Sequence, residues 1–245
     1  MENIKLKIEY DGSRYQGFEK QKDSAPGSTI SGKLIEVIKR MTGEDDIELI
    51  CALRTEVGVH AYGQVANFKT YSNIDPEDVK HYMNRYLPMD IAIVEATRED
   101  DRFQAKLNAI SKSYIYHIFI DKEPNVFDRK HSNYTPGPID RDKIRAAADL
   151  LTGIHDFKNF SGNKSNKSTT KEVLDINAYG DEGEMYITIS ANDFLHNMAR
   201  IIIATLTDIG LGNRPVDDIT AIFNGDKAAS GPCDPKGLFL QDIVY

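Results

Sequence analysis

The chain predicts an α+β fold built from two split βαβ, or ferredoxin-like, halves. Three features carry that expectation. Apolar residues alternate at period two in several short segments, as half-buried strands require, and recur at helical spacing in others. Over residues 4–97 the segments run strand, helix, strand, strand, helix, strand, and a second run on similar logic follows. No Pro/Ser-rich linker separates the runs, so the halves, 1–105 and 106–245, are expected to share one continuous sheet with a cleft between them.

IKLKIEY (4–10) puts Ile4, Leu6, Ile8 and Tyr10 on one face of a strand, which DGS then ends. Beyond it, Ile30, Leu34, Val37, Ile38 and Met41 recur at helical spacing, with Ser28 or Thr29 to cap the start and Gly43 to end it. IELICAL (47–53) and GQVANFKTY (63–71) read as strands flanking the string RTEVGVHA. Asp75-Pro76 supplies a cap and a first-turn proline for a helix through about Tyr86, and IAIVEAT (91–97) is the last strand of this half. In the second half SYIYHIFI (113–120) is a strand, KIRAAADLLTG (143–153) a helix, and VLDINAY (173–179) with EMYITIS (184–190) a hairpin around GDEG. A helix from about Asp193 to Ile209, a short helix near Val216 to Phe223 and a strand over GLFLQDIVY complete it.

With 40% hydrophobic and 28% charged residues, the composition is that of an ordinary globular protein. No run of about 18 apolar residues is present, so no membrane helix is expected. The first residues, MENIKLKIEYDG, lack the apolar stretch of a signal peptide, and the expected location is the cytoplasm. Cys51 and Cys233 are too few for a disulfide framework or a thiolate metal site, and read as small buried or half-buried residues. The six histidines, among them His60, His155 and His196, are scattered without metal-ligand spacing, and read as structural or RNA-facing. DGSRYQG has neither the Walker spacing nor GxGxxG, so neither metal nor cofactor is expected. A net charge of −8 weighs against a nucleic-acid partner. Locally, however, 102–117 holds Arg102, Lys106 and Lys112 with no acid, and 163–171 adds three lysines. Phosphate contact depends on such local surfaces.

Three constellations stand out. Arg54 and Glu56 lie on a loop between two strands, among small and apolar neighbours. A carboxylate there can act as nucleophile or base and the guanidinium can hold phosphate or pair with a carboxylate; the alternative is a surface pair of little energetic weight. Tyr114 and Tyr116 alternate on a strand beside Lys112, where a ring can stack on a base while the cation holds its phosphate, or can simply pack in the core. In NDFLHNMARIII, His196 and Arg200 are four apart, on one face of the expected helix. An arginine in so apolar a helix needs a carboxylate, for which Glu56 is the obvious candidate, unless that face is solvated.

Taken together, YDGSRYQGF, RTEVGVHAYGQVANF, NRYLPMDIAI, RFQAKLNAISKSYIYHI, LLTGIHDFKNFS, SANDFLHNMARIII and GLFLQDIVY resemble the tRNA pseudouridine synthase A family, in order and spacing, over essentially the whole chain. The resemblance implies two ferredoxin-like halves sharing one mainly antiparallel sheet with a central cleft. It implies a cofactor-independent isomerase that detaches uracil from its ribose, rotates it and rejoins it through carbon. A homodimer that takes the anticodon stem-loop of tRNA is implied as well. By position, Arg54 matches the arginine that displaces the target nucleotide, Tyr114 the tyrosine that stacks on uracil, and Arg200 the arginine that pairs with the catalytic carboxylate. Lys112, His60 and His196 are expected to join Arg54 in binding the substrate. Glu56 falls on the carboxylate itself, which the family supplies as aspartate in a string similar to GAGRTDAGVHA. Cys51, Leu53 and Val57 also depart from that string, as do Gln16, Phe18 and Glu19 from His-Gly-Trp-Gln, and Gln104 and Lys106 from Phe-His-Ala-Arg. These departures motivate an alternative, a catalytically silent paralogue that binds RNA or protein through the retained scaffold.

Overall fold

A computed structural model describes residues 1–19, 27–162, 168–181 and 183–245, so 163–167 of the lysine-bearing loop lie outside the described residues. The chain divides into two compact units, Met1–Ile110 with Phe239–Tyr245, and Ser111–Leu238. Strand pairing within each is mainly antiparallel and both carry helices, which is the expected α+β class.

In the first unit β1 (Glu2–Tyr10) lies between β3 (His60–Thr70) and β4 (Ile91–Glu99), antiparallel to both. The short β2 (Leu49–Cys51) pairs antiparallel with β3, and β10 (Leu238–Val244) runs parallel to it, Phe239 opposite His60. Ile4, Leu6, Ile8 and Tyr10 are buried, as the period-two pattern requires, and Phe68, Ile91 and Ile93 join them in the core. Helix α1 (Ile30–Thr42) buries Ile30, Leu34, Val37 and Ile38; Thr29 caps its start by accepting from the Gly32 amide, and Gly43 ends it with φ 74°. Helix α2 (Pro76–Tyr86) is capped by Asp75, buries Val79 and Met83, and packs on β4 and on α1.

In the second unit β5 (Ser111–Ile120) pairs antiparallel with β9 (Glu184–Ala191), which pairs with β8 (Thr170–Gly180). Two short strands that the apolar pattern does not predict extend it: β7 (Gly153–Asp156) on β8, and β6 (Asn133–Thr135) parallel to β5. Helix α3 (Arg141–Leu151) packs on β8 and on α4 (Met198–Gly210), and α5 (Asp218–Asn224) follows. The α3–α4 approach is close because Gly210 has no side chain: a Cβ there would sit 2.5 Å from Ile139 Cγ2 and 2.9 Å from Ile144 Cδ1.

One boundary departs from the expected one. Helix α4 starts at Met198, five residues after Asp193, because Asn197 takes the left-handed conformation at φ 58°. Asparagine tolerates that region better than other side-chain-bearing residues, and a single such residue stops the helix from extending backwards. His196 therefore lies on the preceding loop and is exposed, and the helical face expected to join it to Arg200 does not form.

Candidate functional site

In the first unit the candidate residues sit on the segment that joins β2 to β3. Its main chain is held at several points. Ala52 N–H donates to the Val65 carbonyl at 2.9 Å, and Gln64 Nε2 donates to the Leu53 carbonyl at 2.7 Å. The Thr55 carbonyl accepts from the Phe18 amide at 3.1 Å, while Thr55 Oγ1 lies 2.7 Å from the buried Tyr10 hydroxyl. Glu56 then begins a turn closed by Val59 N–H on its own carbonyl at 3.2 Å, with Gly58 at φ 78° supplying the left-handed third position. Thr55 is buried, Glu56 half-buried and Arg54 exposed.

The N-terminal string YDGSRYQGF buttresses this loop. Gly12 packs flat against it, since a Cβ would stand 2.0 Å from the Val59 carbonyl oxygen, and its amide donates to His60 Nδ1 at 3.1 Å. Gly17, at φ 85°, approaches the Thr55 carbonyl, which would stand 3.0 Å from a Cβ there. That string therefore acts as a support and not as a phosphate cradle. His60 is only 1% exposed and stacks on Phe239 at 4.6 Å, so the structure buries it at the loop's end. The His60 Nδ1 also lies 3.2 Å from Asp11 Oδ1. Arg54 extends outward and places Nε 2.5 Å from Glu19 Oε2. Burial pushes the Cys51 thiol up to about 12, with Glu19 adding to the shift and Arg54 opposing it, so Cys51 is an unreactive neutral thiol.

The second unit holds the other candidates. Tyr114 is buried on β5 and meets Phe194 edge-on, with ring centroids 5.2 Å apart. The neighbouring Lys112, 5% exposed, donates to Asp193 Oδ1 at 2.6 Å, and Lys171 donates to the other oxygen at 2.9 Å. Burial acts to raise the Asp193 carboxyl, and the hydrogen bonds and charges of the two lysines more than reverse this, so it lies below the usual carboxylate range. One carboxylate against two ammonium groups leaves one surplus positive charge, a setting that suits an anion. Tyr116, also buried, donates its hydroxyl to the Asp234 carbonyl at 3.0 Å.

Arg200, in the first turn of α4, is half-buried. Its Nε and Nη2 both donate to the Cys233 carbonyl, at 2.8 and 2.6 Å, and Nη1 donates to Asn197 Oδ1 at 3.1 Å. The Cys233 amide returns a bond to the Arg200 carbonyl at 3.2 Å. Carbonyl oxygens thus meet part of the demand that the apolar helix creates. A guanidinium has five N–H groups, so these three bonds orient the fork and leave two for a further acceptor.

The expected site residues thus fall into two sets: Arg54, Glu56 and His60 on one tied loop, and Lys112, Tyr114, His196 and Arg200 in the second unit. Sequence patterns do not reveal the residues that hold them. Tyr10, Gln64, Asp193 and Asn197 act through contacts made far along the chain or through backbone geometry, and only the proximity of Thr55 to two charges marks it. Chemically, the first set offers a carboxylate on a tied loop, and the second an oriented arginine fork, a buried ring and a lysine pair with one surplus positive charge. No helix among the described residues is long and apolar enough to cross a membrane.

Residues 7–107 and 147–245 match the family model described as tRNA pseudouridine synthase. Similar curated proteins include a tRNA pseudouridine synthase A of a Bacillus species, 38% identical with 100% of each chain covered. A tRNA pseudouridine synthase A 2 of Bacillus cereus is 38% identical over the same full coverage, as is a tRNA pseudouridine synthase A of a Thermoanaerobacter species.

Proposed function

The chain belongs to the tRNA pseudouridine synthase family, and on that premise we propose that it isomerises uridine to pseudouridine in the anticodon stem-loop of tRNA, using Glu56 as its carboxylate. In this reaction the bond from the sugar to nitrogen is exchanged for one to carbon within the same nucleotide. No redox partner or cofactor enters the balance. Glu56 either attacks the sugar carbon or removes a neighbouring sugar proton, and must be ionised to do so. Arg200 is assigned as the partner of that carboxylate by the position it shares with the family's pairing arginine. Unstacking the target base costs a few kcal/mol, which Arg54, filling the vacated place, and Tyr114, packing on the uracil, offset.

Lys112 contributes the surplus charge of its cluster to the RNA backbone, and His196, exposed on the loop before α4, contacts the RNA. His60 acts through the loop it anchors. The protein works as a cytoplasmic homodimer. The observation that carries the reading is the loop itself: the carbonyls of Leu53 and Thr55 and the side chain of Thr55, next to Glu56, are tied to the core, as an accurately placed catalytic carboxylate requires.

The test is to incubate the purified protein and its Glu56→Gln variant with unmodified tRNA and map pseudouridine chemically. Product with the wild type and none with the variant is expected. No product on tRNA, ribosomal or messenger RNA would give the site to the silent-scaffold alternative.

A further inference from the structure

We propose that Tyr10, Thr55 and Gln64 form a buried positioning triad that sets the main chain of the Glu56 loop. The proposal rests on the reading of Glu56 as the catalytic carboxylate, and deepens it. The three residues come from β1, the loop and β3, and are 5%, 4% and 0% exposed. Val65 N–H donates to Gln64 Oε1 at 3.1 Å, which fixes the side-chain amide and aims Nε2 at the Leu53 carbonyl and, at 3.4 Å, at the Tyr10 oxygen. The Tyr10 hydroxyl shares a hydrogen bond of 2.7 Å with Thr55 Oγ1, in which either hydroxyl can donate. Burial raises the Tyr10 hydroxyl well above its ordinary value, so its proton stays in place across the working pH range.

The ties land where they matter. Gln64 holds the carbonyl of Leu53 and Tyr10 holds the side chain of Thr55, so the residues on either side of Arg54 are fixed, and the second adjoins Glu56. A misplacement of about 1 Å at a reacting centre can cost on the order of 10²-fold in rate. Stability alone does not call for such an arrangement. A phenylalanine and a valine of similar shape could fill the space of Tyr10 and Thr55, and replacing both partners of a buried hydrogen bond with apolar groups is close to neutral. Directional polar groups in this place instead specify one loop conformation.

The experiment compares the wild type with Tyr10→Phe, with Thr55→Ser, and with Tyr10→Phe/Thr55→Val, reading turnover on tRNA, thermal melting and amide exchange over residues 53–59. The double variant is expected to stay folded, to lose about 10- to 100-fold in kcat with KM within about 2-fold, and to exchange its loop amides faster. Thr55→Ser, which keeps the hydroxyl, is expected to stay within about 3-fold of wild type. Should the double variant fail to fold, Tyr10→Phe is read in its place by the same measures. A folded variant with unchanged kcat and unchanged exchange overturns the proposal. If the wild type makes no pseudouridine, the reading of Glu56 falls, and exchange alone decides the triad: faster exchange in Tyr10→Phe supports it and unchanged exchange overturns it.

Discussion

Arg54 and Glu19 form an ion pair, Nε to Oε2 at 2.5 Å, at the outer edge of the loop that carries Glu56. The arginine assigned to the target nucleotide is therefore already engaged by a carboxylate, at a position where the family string has glutamine. On the proposed role of Arg54, the target RNA and Glu19 compete for the same guanidinium. The side chains are 66% and 38% accessible, so the pair is solvent-screened and worth only about 0.2–1 kcal/mol.

Glu19→Gln should accordingly lower KM for tRNA by about 1.5- to 5-fold with kcat unchanged, and the gain should shrink at high salt. Steady-state kinetics at two ionic strengths check it. An unchanged KM at low salt would mean that the pair does not compete with RNA.

Shortening the acid tests how the loop was built. Glu56→Asp withdraws the carboxylate by about one carbon–carbon bond, and misplacement on that scale costs on the order of 10²-fold. On the reading that Cys51 and Leu53, in place of glycines, set the loop for the longer side chain, kcat is expected to fall by about that factor. A rise in turnover would show instead that glutamate had silenced the site.

These details differ in how far sequence reveals them. Helix α1 is legible because its stripe from Ile30 to Ile38 and its caps Thr29 and Gly43 are local signals. The start of α4 is not, since Phe194 and Leu195 continue the apolar spacing and only the backbone at Asn197 breaks it. β7 is four residues long, with Ile154 exposed, so it has no buried face to advertise. Arg54, Glu56, Tyr114 and Arg200 stand out as a motif set. What holds them does not: Tyr10 and Thr55 are 45 residues apart, and Arg200 and Cys233 are 33 apart. Such pairings follow from the folded topology and leave no periodic trace.

The Lys112–Asp193–Lys171 cluster gives a pH dependence whose sign can be stated. The folded Asp193 carboxyl is depressed, so its contribution to stability is present above the ordinary aspartate value of about 3.9 and is lost as pH falls through the folded value. Asp193→Asn should cost about 1–3 kcal/mol near neutrality. The carboxylate is 43% accessible, which keeps the cost below the ~3–5 kcal/mol of a fully buried broken pair. Urea melts at pH 7 and pH 3 check it: the gap between variant and wild type should close in acid. Because Phe194 follows Asp193 and packs on Tyr114, the variant should also lose turnover at neutral pH.

Arg200 separates catalysis from stability most cleanly. Arg200→Met deletes three hydrogen bonds, two to the Cys233 carbonyl and one to Asn197. Both acceptors lie on half-buried residues that water can reach, so the loss should cost only about 1 kcal/mol. A methionine of similar reach replaces it without the desolvation that a guanidinium carries. Melting should therefore shift by a few degrees at most. On the proposed role of Arg200 as the partner of the catalytic carboxylate, turnover should disappear. Arg200→Lys tells charge from geometry: an ammonium keeps the charge but loses the planar fork, and should recover only a small part of the rate. Single-turnover assays beside thermal melts measure both effects. An Arg200→Met protein that kept its turnover would remove Arg200 from the catalytic pair, leaving it as the clamp on the 233 segment that its bonds to Cys233 already make it.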